Sequence, residues 1–235
     1  TGYNIFGFDF AFMWDRALDL FGEDENYKGE LNGIPKGDFS KLGRIRYTNN
    51  DNENVIKKSY LENKKLASSA LGDNVLKYIT MDGRIVLDLL KVVQKDFNLV
   101  TYKLDYVAEH FINDKITDII NNTLKIKGIQ TLNKGHFITI NYGHDKKYND
   151  KKFKIIDLNL ETNTITLNES IDNAILKENP KWTLAKDDVS PQDIFRLQDG
   201  DADDRKIVAT YCIQDCALCN VLIDKLKIIT NNIGM

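Results

Sequence analysis

Cysteine is scarce in this chain of 235 residues: there are three, and all of them lie between Cys212 and Cys219. Thiols confined to one short segment do not suggest a disulfide framework. No apolar run approaches the roughly 20 residues that a membrane-spanning helix needs, and no signal peptide is visible. The sequence therefore predicts an intracellular, reducing compartment and no membrane partner.

An excess of one charge is also missing, since 32 basic residues face 35 acidic residues. A duplex-binding domain usually carries a basic face, so this balance argues slightly against a nucleic-acid partner. It does not exclude one, because a nuclease site collects carboxylates for metal ions. With 42% hydrophobic residues, the chain can bury a core and form one or two modules.

Two short motifs that combine aromatic and acidic residues stand out near opposite ends of the chain. In the first, Asp9 follows Phe8 directly and precedes an apolar pattern with helical spacing. In the second, Tyr211 and Asp215 are four residues apart in another helical pattern, so they share one face. An aspartate that binds a metal ion and a tyrosine that orients a water are what a two-metal nuclease site requires.

Each motif also has an ordinary structural interpretation. Asp9 is well placed as the N-cap of the helix that follows it, and on spacing alone this is the simpler reading. Tyr211 and Asp215 could be a hydrogen-bonded pair within a helix. The cysteines Cys212, Cys216 and Cys219 share that helical face, and we expect them to pack there as buried apolar groups.

Together the motifs resemble the second and third exonuclease motifs of family B DNA polymerases, N-x(3)-F/Y-D and Y-x(3)-D. Asn4, Phe8 and Asp9 fit the former, and Tyr211 and Asp215 fit the latter. The segments between them follow the order of the delta-like branch of that family: Gly43–Ile45, Gly83–Leu90, Thr101–Ala108 and Leu197–Gly200. The final segment, 231–235, resembles the link to the palm in polymerases of large DNA viruses.

The resemblance implies an α/β, ribonuclease H-like 3′–5′ exonuclease domain that is incomplete, belonging to a viral replicative DNA polymerase. The first exonuclease motif is expected before Thr1 and the polymerase motifs after Met235, so we expect a piece of a larger enzyme. A free-standing 3′–5′ exonuclease, or a nucleic-acid-binding module that has lost its metals, remain as alternatives.

The resemblance also implies roles for the motif residues. Two divalent ions, Mg²⁺ or Mn²⁺, would be held by four carboxylates, of which Asp9 and Asp215 are two. Tyr211 would orient the attacking water. Asn4 and Phe8 would bind the unpaired 3′ end of the primer.

The partners implied are single-stranded DNA at the primer end and, for the parent enzyme, deoxynucleotides, with a sliding clamp as a further candidate. The implied location is the host nucleus or a cytoplasmic site of viral replication. In the middle of the chain, paired lysines at 146–147 and 151–152 could touch DNA phosphates, although exposed loop lysines are the default.

The resemblance implies which parts of the chain are exonuclease and link, and hydrophobic spacing marks the insertion between them. Four segments are expected: exonuclease residues 1–122, an antiparallel β-rich insertion at 123–186, exonuclease residues 187–230, and the link 231–235. Within them we expect the following helices and loops: a helix from Phe10 to Phe21, mostly loops with short helical pieces over 23–77, a hairpin around Asp82-Gly83, helices capped by Asp88 and Thr101, a helix opened by Ser190-Pro191, and a long final helix starting at Asp201. The strands of the insertion are expected at His136–Tyr142, Phe153–Leu158, Thr164–Leu167 and Lys181–Leu184.

Overall fold

The computed structural model describes residues 1–26, 33–68, 72–143, 146–185 and 189–233. Its contacts divide the chain into two compact units, Thr1–Leu99 and Val100–Met235. Parts of the predicted loop region 23–77 and the end of the predicted link at 234–235 lie outside the described residues.

The first unit begins with a single π-helical turn, Ile5–Asp9, which runs directly into helix α1, Phe10–Phe21. Helix α1 forms as its apolar spacing predicts, and it ends at Gly22, whose φ of 72° favours glycine. It buries Phe10, Trp14 and Ala17 and leaves Phe12, Met13 and Leu20 exposed on the opposite face. The helix is therefore confirmed, but the turn before it was not expected.

Two antiparallel hairpins follow α1, where the sequence predicted mostly loops. Strand β1, Arg46–Thr48, pairs with β2, Asn54–Ile56, and strand β3, Leu61–Ser68, pairs with β4, Gly72–Ile79. The loop prediction was wrong here because these strands lack a clear apolar alternation. In the β3–β4 pair, Leu61 and Ile79 at its open end, far from the turn, are buried, while Asn63, Lys64, Lys65 and Val75 are exposed.

The core of this unit forms between α1 and the β3–β4 hairpin. Trp14 is fully buried, and its indole N–H donates to the carbonyl of Gly33 at 3.0 Å. The buried apolar side chains that surround it are Ile5, Phe10, Ile34, Leu61 and Ile79. The π-helical turn therefore shares the core of α1 through Ile5.

The hairpin predicted around Asp82-Gly83 does not form. The two residues make a tight turn, closed by a hydrogen bond from the Arg84 N–H to the Met81 carbonyl at 3.0 Å. The Asp82 carbonyl accepts the N–H of Arg44 at 2.7 Å, so a remote segment replaces the expected partner strand. Helix α2, Leu89–Asp96, then begins with Asp88 as its N-cap, which confirms the predicted cap.

The second unit opens with helix α3, Leu104–Phe111, which has Lys103 at its N-cap. The predicted Thr101 cap is wrong, because Thr101 lies two residues before the N-cap position. Helix α3 packs on the last strand of the sheet that follows.

That sheet has seven antiparallel strands, six of which close into a barrel. Its strands are β5, Asn113–Ile120; β6, Thr123–Ile126; β7, Phe137–Tyr142; β8, Lys146–Lys147; β9, Phe153–Asn159; β10, Thr164–Leu167; and β11, Lys181–Ala185. The strands follow the order β11-β5-β6-β10-β9-β7, and the barrel is closed because β7 also pairs with β11. The short strand β8 pairs with the last two residues of β7. The barrel begins at Asn113, before the predicted start of the insertion at 122–123, because β5 is one of its strands.

Apolar side chains from the alternating positions of the strands fill the barrel interior. The interior is closed by side chains that are almost fully buried: Ile116, Ile119, Leu124, Ile126, Ile138, Ile140, Phe153, Ile155, Ile165, Leu167 and Trp182. The Trp182 indole N–H donates to the Lys127 carbonyl at 2.8 Å, which satisfies the one polar atom of that ring. The strands predicted at Phe153, Thr164 and Lys181 are confirmed.

Three helices complete the second unit: α4, Pro191–Gln198; α5, Ala202–Lys225; and α6, Ile228–Ile233. The Ser190 hydroxyl accepts the Asp193 N–H at 3.1 Å, and Asp201 caps α5, so both predicted starts are confirmed. By length and composition alone α5 meets the requirement for a membrane span, contrary to the expectation from sequence. Core helices meet the same requirement, and α5 buries Val208 and Leu222, so no membrane role follows.

The two ends of the barrel are neighbours, since Asn113 and Thr183 are cross-strand partners. We expect that replacing residues 114–182 by two glycines leaves a folded chain with cooperative unfolding. Deleting 125–185 instead leaves β5 with Ile116 and Ile119 uncovered, and we expect that variant to aggregate. Thermal unfolding and size-exclusion chromatography of the two variants check this; equal behaviour of both would contradict it.

Candidate active site

The carboxylate of Asp88 anchors the segment that carries the first motif. Asp88 is only 2% exposed. Its Oδ1 accepts the N–H of Asn4 at 2.8 Å and that of Leu90 at 3.0 Å, and its Oδ2 accepts the N–H of Phe6 at 3.0 Å. The Leu89 N–H donates to the Gly2 carbonyl at 2.9 Å alongside. Asp88, the N-cap of α2, thus also binds a segment more than 80 residues earlier in the chain.

The backbone of the motif bends sharply at this anchor. Asn4 has φ 61° and ψ 29°, in the left-handed region that asparagine tolerates better than most residues. The Asn4 carbonyl then accepts the N–H groups of Gly7 at 3.1 Å and Phe8 at 3.2 Å. A Cβ on Gly7 would come within 2.4 Å of the Asn4 Oδ1, so a larger residue there would displace the Asn4 side chain. Single π-turns are rare and occur often at functional sites.

Asp9 lies at the end of this π-turn and not at a helix N-terminus. It has helical dihedral angles, and its side chain makes no capping hydrogen bond. The N-cap interpretation of Asp9 is therefore wrong, because the helical backbone already begins one turn earlier. Partial burial raises the pKa of Asp9, the hydrogen bond to its own backbone lowers that pKa, and the nearby charge of Asp88 raises it again.

Asn4 and Phe8 lie beside Asp9 at the surface. The Phe8 ring is 63% exposed and stacks on Phe12, with 5.7 Å between centroids and 11° between planes. The sequence reasoning missed Phe12, although its spacing of four residues from Phe8 on a helix could have indicated the pair. The structure thus brings the three predicted residues of the first motif together beside an exposed aromatic surface.

The second motif lies on α5 as predicted. Tyr211 and Asp215 are one turn apart on the same face, and both are partly buried. Buried side chains flank the pair on this face, Val208 before it and Leu218 and Leu222 after it.

The prediction that the cysteines are buried is wrong for two of them. Cys212 and Cys216 are exposed, and Cys219 is partly buried. The thiols of Cys212 and Cys216 therefore face solvent, whereas one carboxylate oxygen of Asp215, its Oδ1, is fully buried.

The donor chemistry suits a hard divalent cation, since Asp9 and Asp215 offer carboxylate oxygens. Across the described parts of the chain, no three His, Cys, Asp or Glu side chains lie close enough together to hold a metal. Asp9 belongs to the first unit and Asp215 to the second, so their meeting at one pocket stays a prediction.

Comparison with known proteins agrees with the motifs. Residues 1–107 match the exonuclease domain of DNA polymerase family B. The chain is 42% identical over its full length to the DNA polymerase of Pyramimonas orientalis virus and 32% identical to that of Phaeocystis pouchetii virus. It is 26% identical over 98% of its length to the DNA polymerase delta catalytic subunit of Dictyostelium discoideum.

The family match defines residues 1–107 as an exonuclease domain. Residues 1–107 belong to the exonuclease domain of family B DNA polymerases, whose members depend on metal ions. This confirms the predicted family and its ribonuclease H-like α/β class. The chain spans 17% of the length of the Pyramimonas virus polymerase and 22% of that of the Phaeocystis virus polymerase.

We expect Asp88→Ala to lower the free energy of unfolding by about 3 kcal/mol, because buried N–H groups lose their acceptor. Urea denaturation followed by tryptophan fluorescence measures this loss. A change below about 1 kcal/mol would show that the anchor contributes little.

Asp9→Asn should leave stability at neutral pH unchanged or higher. A carboxyl whose pKa is raised from 3.8 contributes stability that is present below that value and is lost as pH rises through the raised pKa. The difference between Asp9→Asn and the parent chain should therefore vanish in acid. A variant that is less stable at neutral pH but equal in acid would contradict the raised pKa.

Proposed function

We propose that this chain forms most of the 3′–5′ proofreading exonuclease domain of a viral replicative DNA polymerase. The observation that supports it best is the geometry of the first motif. Asp9 makes no structural cap, and a buried anchor holds it beside an exposed aromatic pair. An exposed carboxylate next to a base-stacking surface is what excision of an unpaired nucleotide requires.

The mechanism we propose is metal-assisted hydrolysis of the terminal phosphodiester bond. Asp9 and Asp215 would hold two Mg²⁺ or Mn²⁺ ions together with two further carboxylates, and the ions would supply charge for the attacking water and the leaving 3′ oxygen. The Tyr211 hydroxyl orients that water by a hydrogen bond. Phe8 stacks on a terminal base, and Asn4 contacts the strand beside it.

The parent enzyme, in this proposal, also extends primers with deoxynucleotides on a DNA template inside the infected cell. Similarity to viral polymerases along the full chain supports this role. A sliding clamp as a further partner is part of the same proposal.

We expect Asp9→Ala and Asp215→Ala to lower excision of an unpaired 3′ end by about 100-fold or more in the full-length enzyme, because each removes a metal ligand. Primer extension should be unchanged. Asp19→Ala and Asp224→Ala, exposed acids on the same two helices, serve as controls. Equal loss of excision and extension would refute the assigned roles.

Tyr211→Phe should weaken excision by about tenfold, since it removes one hydrogen bond to a water and leaves the metal ligands in place. Single-turnover excision measured beside Asp215→Ala tests this. If the two variants are equally inactive, the hydroxyl does more than orient the water.

A further inference from the structure

The two carboxylate oxygens of Asp88 accept different hydrogen bonds. Oδ1 caps α2 through Leu90 and also holds Asn4, whereas Oδ2 is bonded to Phe6. Phe6 lies inside the π-turn, three residues before Asp9. The second oxygen is therefore dedicated to the turn and not to the helix that Asp88 caps.

The turn depends on this acceptor because its own hydrogen bonding is unusual. The Asn4 carbonyl serves two N–H groups, and the Phe10 N–H reaches back to the Ile5 carbonyl across five residues. An ordinary helix would open at a capping side chain, but here no side chain of the turn caps it. The N–H groups of Asn4 and Phe6 are satisfied from outside, by Asp88.

We propose that Asp88 is a positioning residue for excision, which sets the place of Asp9 and Phe8 by holding the π-turn through Phe6 and Asn4. This inference rests on the proposed exonuclease function. Misplacement of a reacting group by about 1 Å can cost about 100-fold in rate, so the anchor matters beyond stability.

Asp88→Asn separates positioning from folding. Asparagine is among the best N-caps, so its oxygen keeps the bonds to Leu90 and Asn4. Its amide group then faces the Phe6 N–H, and two donors oppose each other where one hydrogen bond existed. The Phe6 ring keeps its contacts with Phe10 and Tyr78, at 6.0 and 6.1 Å between centroids, so the unit stays folded.

In the full-length enzyme we expect Asp88→Asn to lower kcat for excision of single-stranded DNA by about 10- to 100-fold. The KM for DNA should stay within about twofold, and the Mg²⁺ concentration for half-maximal excision should rise. Primer extension and the unfolding temperature should remain close to those of the parent enzyme. The control is Asp172→Asn, since Asp172 caps a short helix through the Ala174 N–H at 2.9 Å and should leave every readout unchanged.

Two results would overturn the inference. One is an unchanged kcat with an unchanged Mg²⁺ requirement. The other is a parallel loss of excision and extension that follows a lowered unfolding temperature, which would mean a role in stability alone. If Asp9→Ala also leaves excision intact, the proposed function fails; if Asp9→Ala abolishes it while Asp88→Asn does not, only the role of Asp88 fails.

Discussion

The geometry of the first motif depends on one buried carboxylate. Asp88 accepts three backbone N–H groups, two of them from a segment more than 80 residues earlier in the chain. A charged acceptor that is removed from water must be satisfied on both oxygens, and these donors do so. The same bonds hold the left-handed Asn4 and the π-turn that carries Asp9 to the surface. Removing the carboxylate would free a helix end and the segment that carries Asp9 together.

The two motifs are held by different kinds of backbone structure. A strained turn and the start of α1 hold Asp9 and Phe8, whereas a regular helix holds Tyr211 and Asp215 at the spacing of one turn. The barrel is inserted between the motifs in the chain, with its first and last strands paired. Because the barrel segment enters and leaves at adjacent points, it needs no long connection. The barrel and the helices that flank it form one compact unit, Val100–Met235.

Sequence reasoning succeeded where a local signal decides the structure. Helix α1, the caps at Asp88 and Ser190, and the alternating strands at Phe153 and Thr164 are all local patterns, and all are confirmed. It failed at the β3–β4 hairpin, where no clear apolar alternation marks the strands. It also failed where a backbone group hydrogen-bonds to a distant segment and not to a local one. The Asp82 carbonyl, expected to lie in a hairpin, pairs with Arg44 instead.

The sequence alone was sufficient to predict the motifs, because aspartate, tyrosine and aromatic residues at fixed spacings are what metal-dependent excision would use. It was also sufficient for the antiparallel strands of the predicted insertion, but not for β5 or for the closure of the sheet into a barrel. Only the tertiary structure decided that Asp9 is no helix cap and that Asp88 holds its turn. The physical reason is that hydrogen bonds between Asp88 and Asn4 or Phe6 join residues far apart in the chain, and such bonds leave no periodic trace in the sequence.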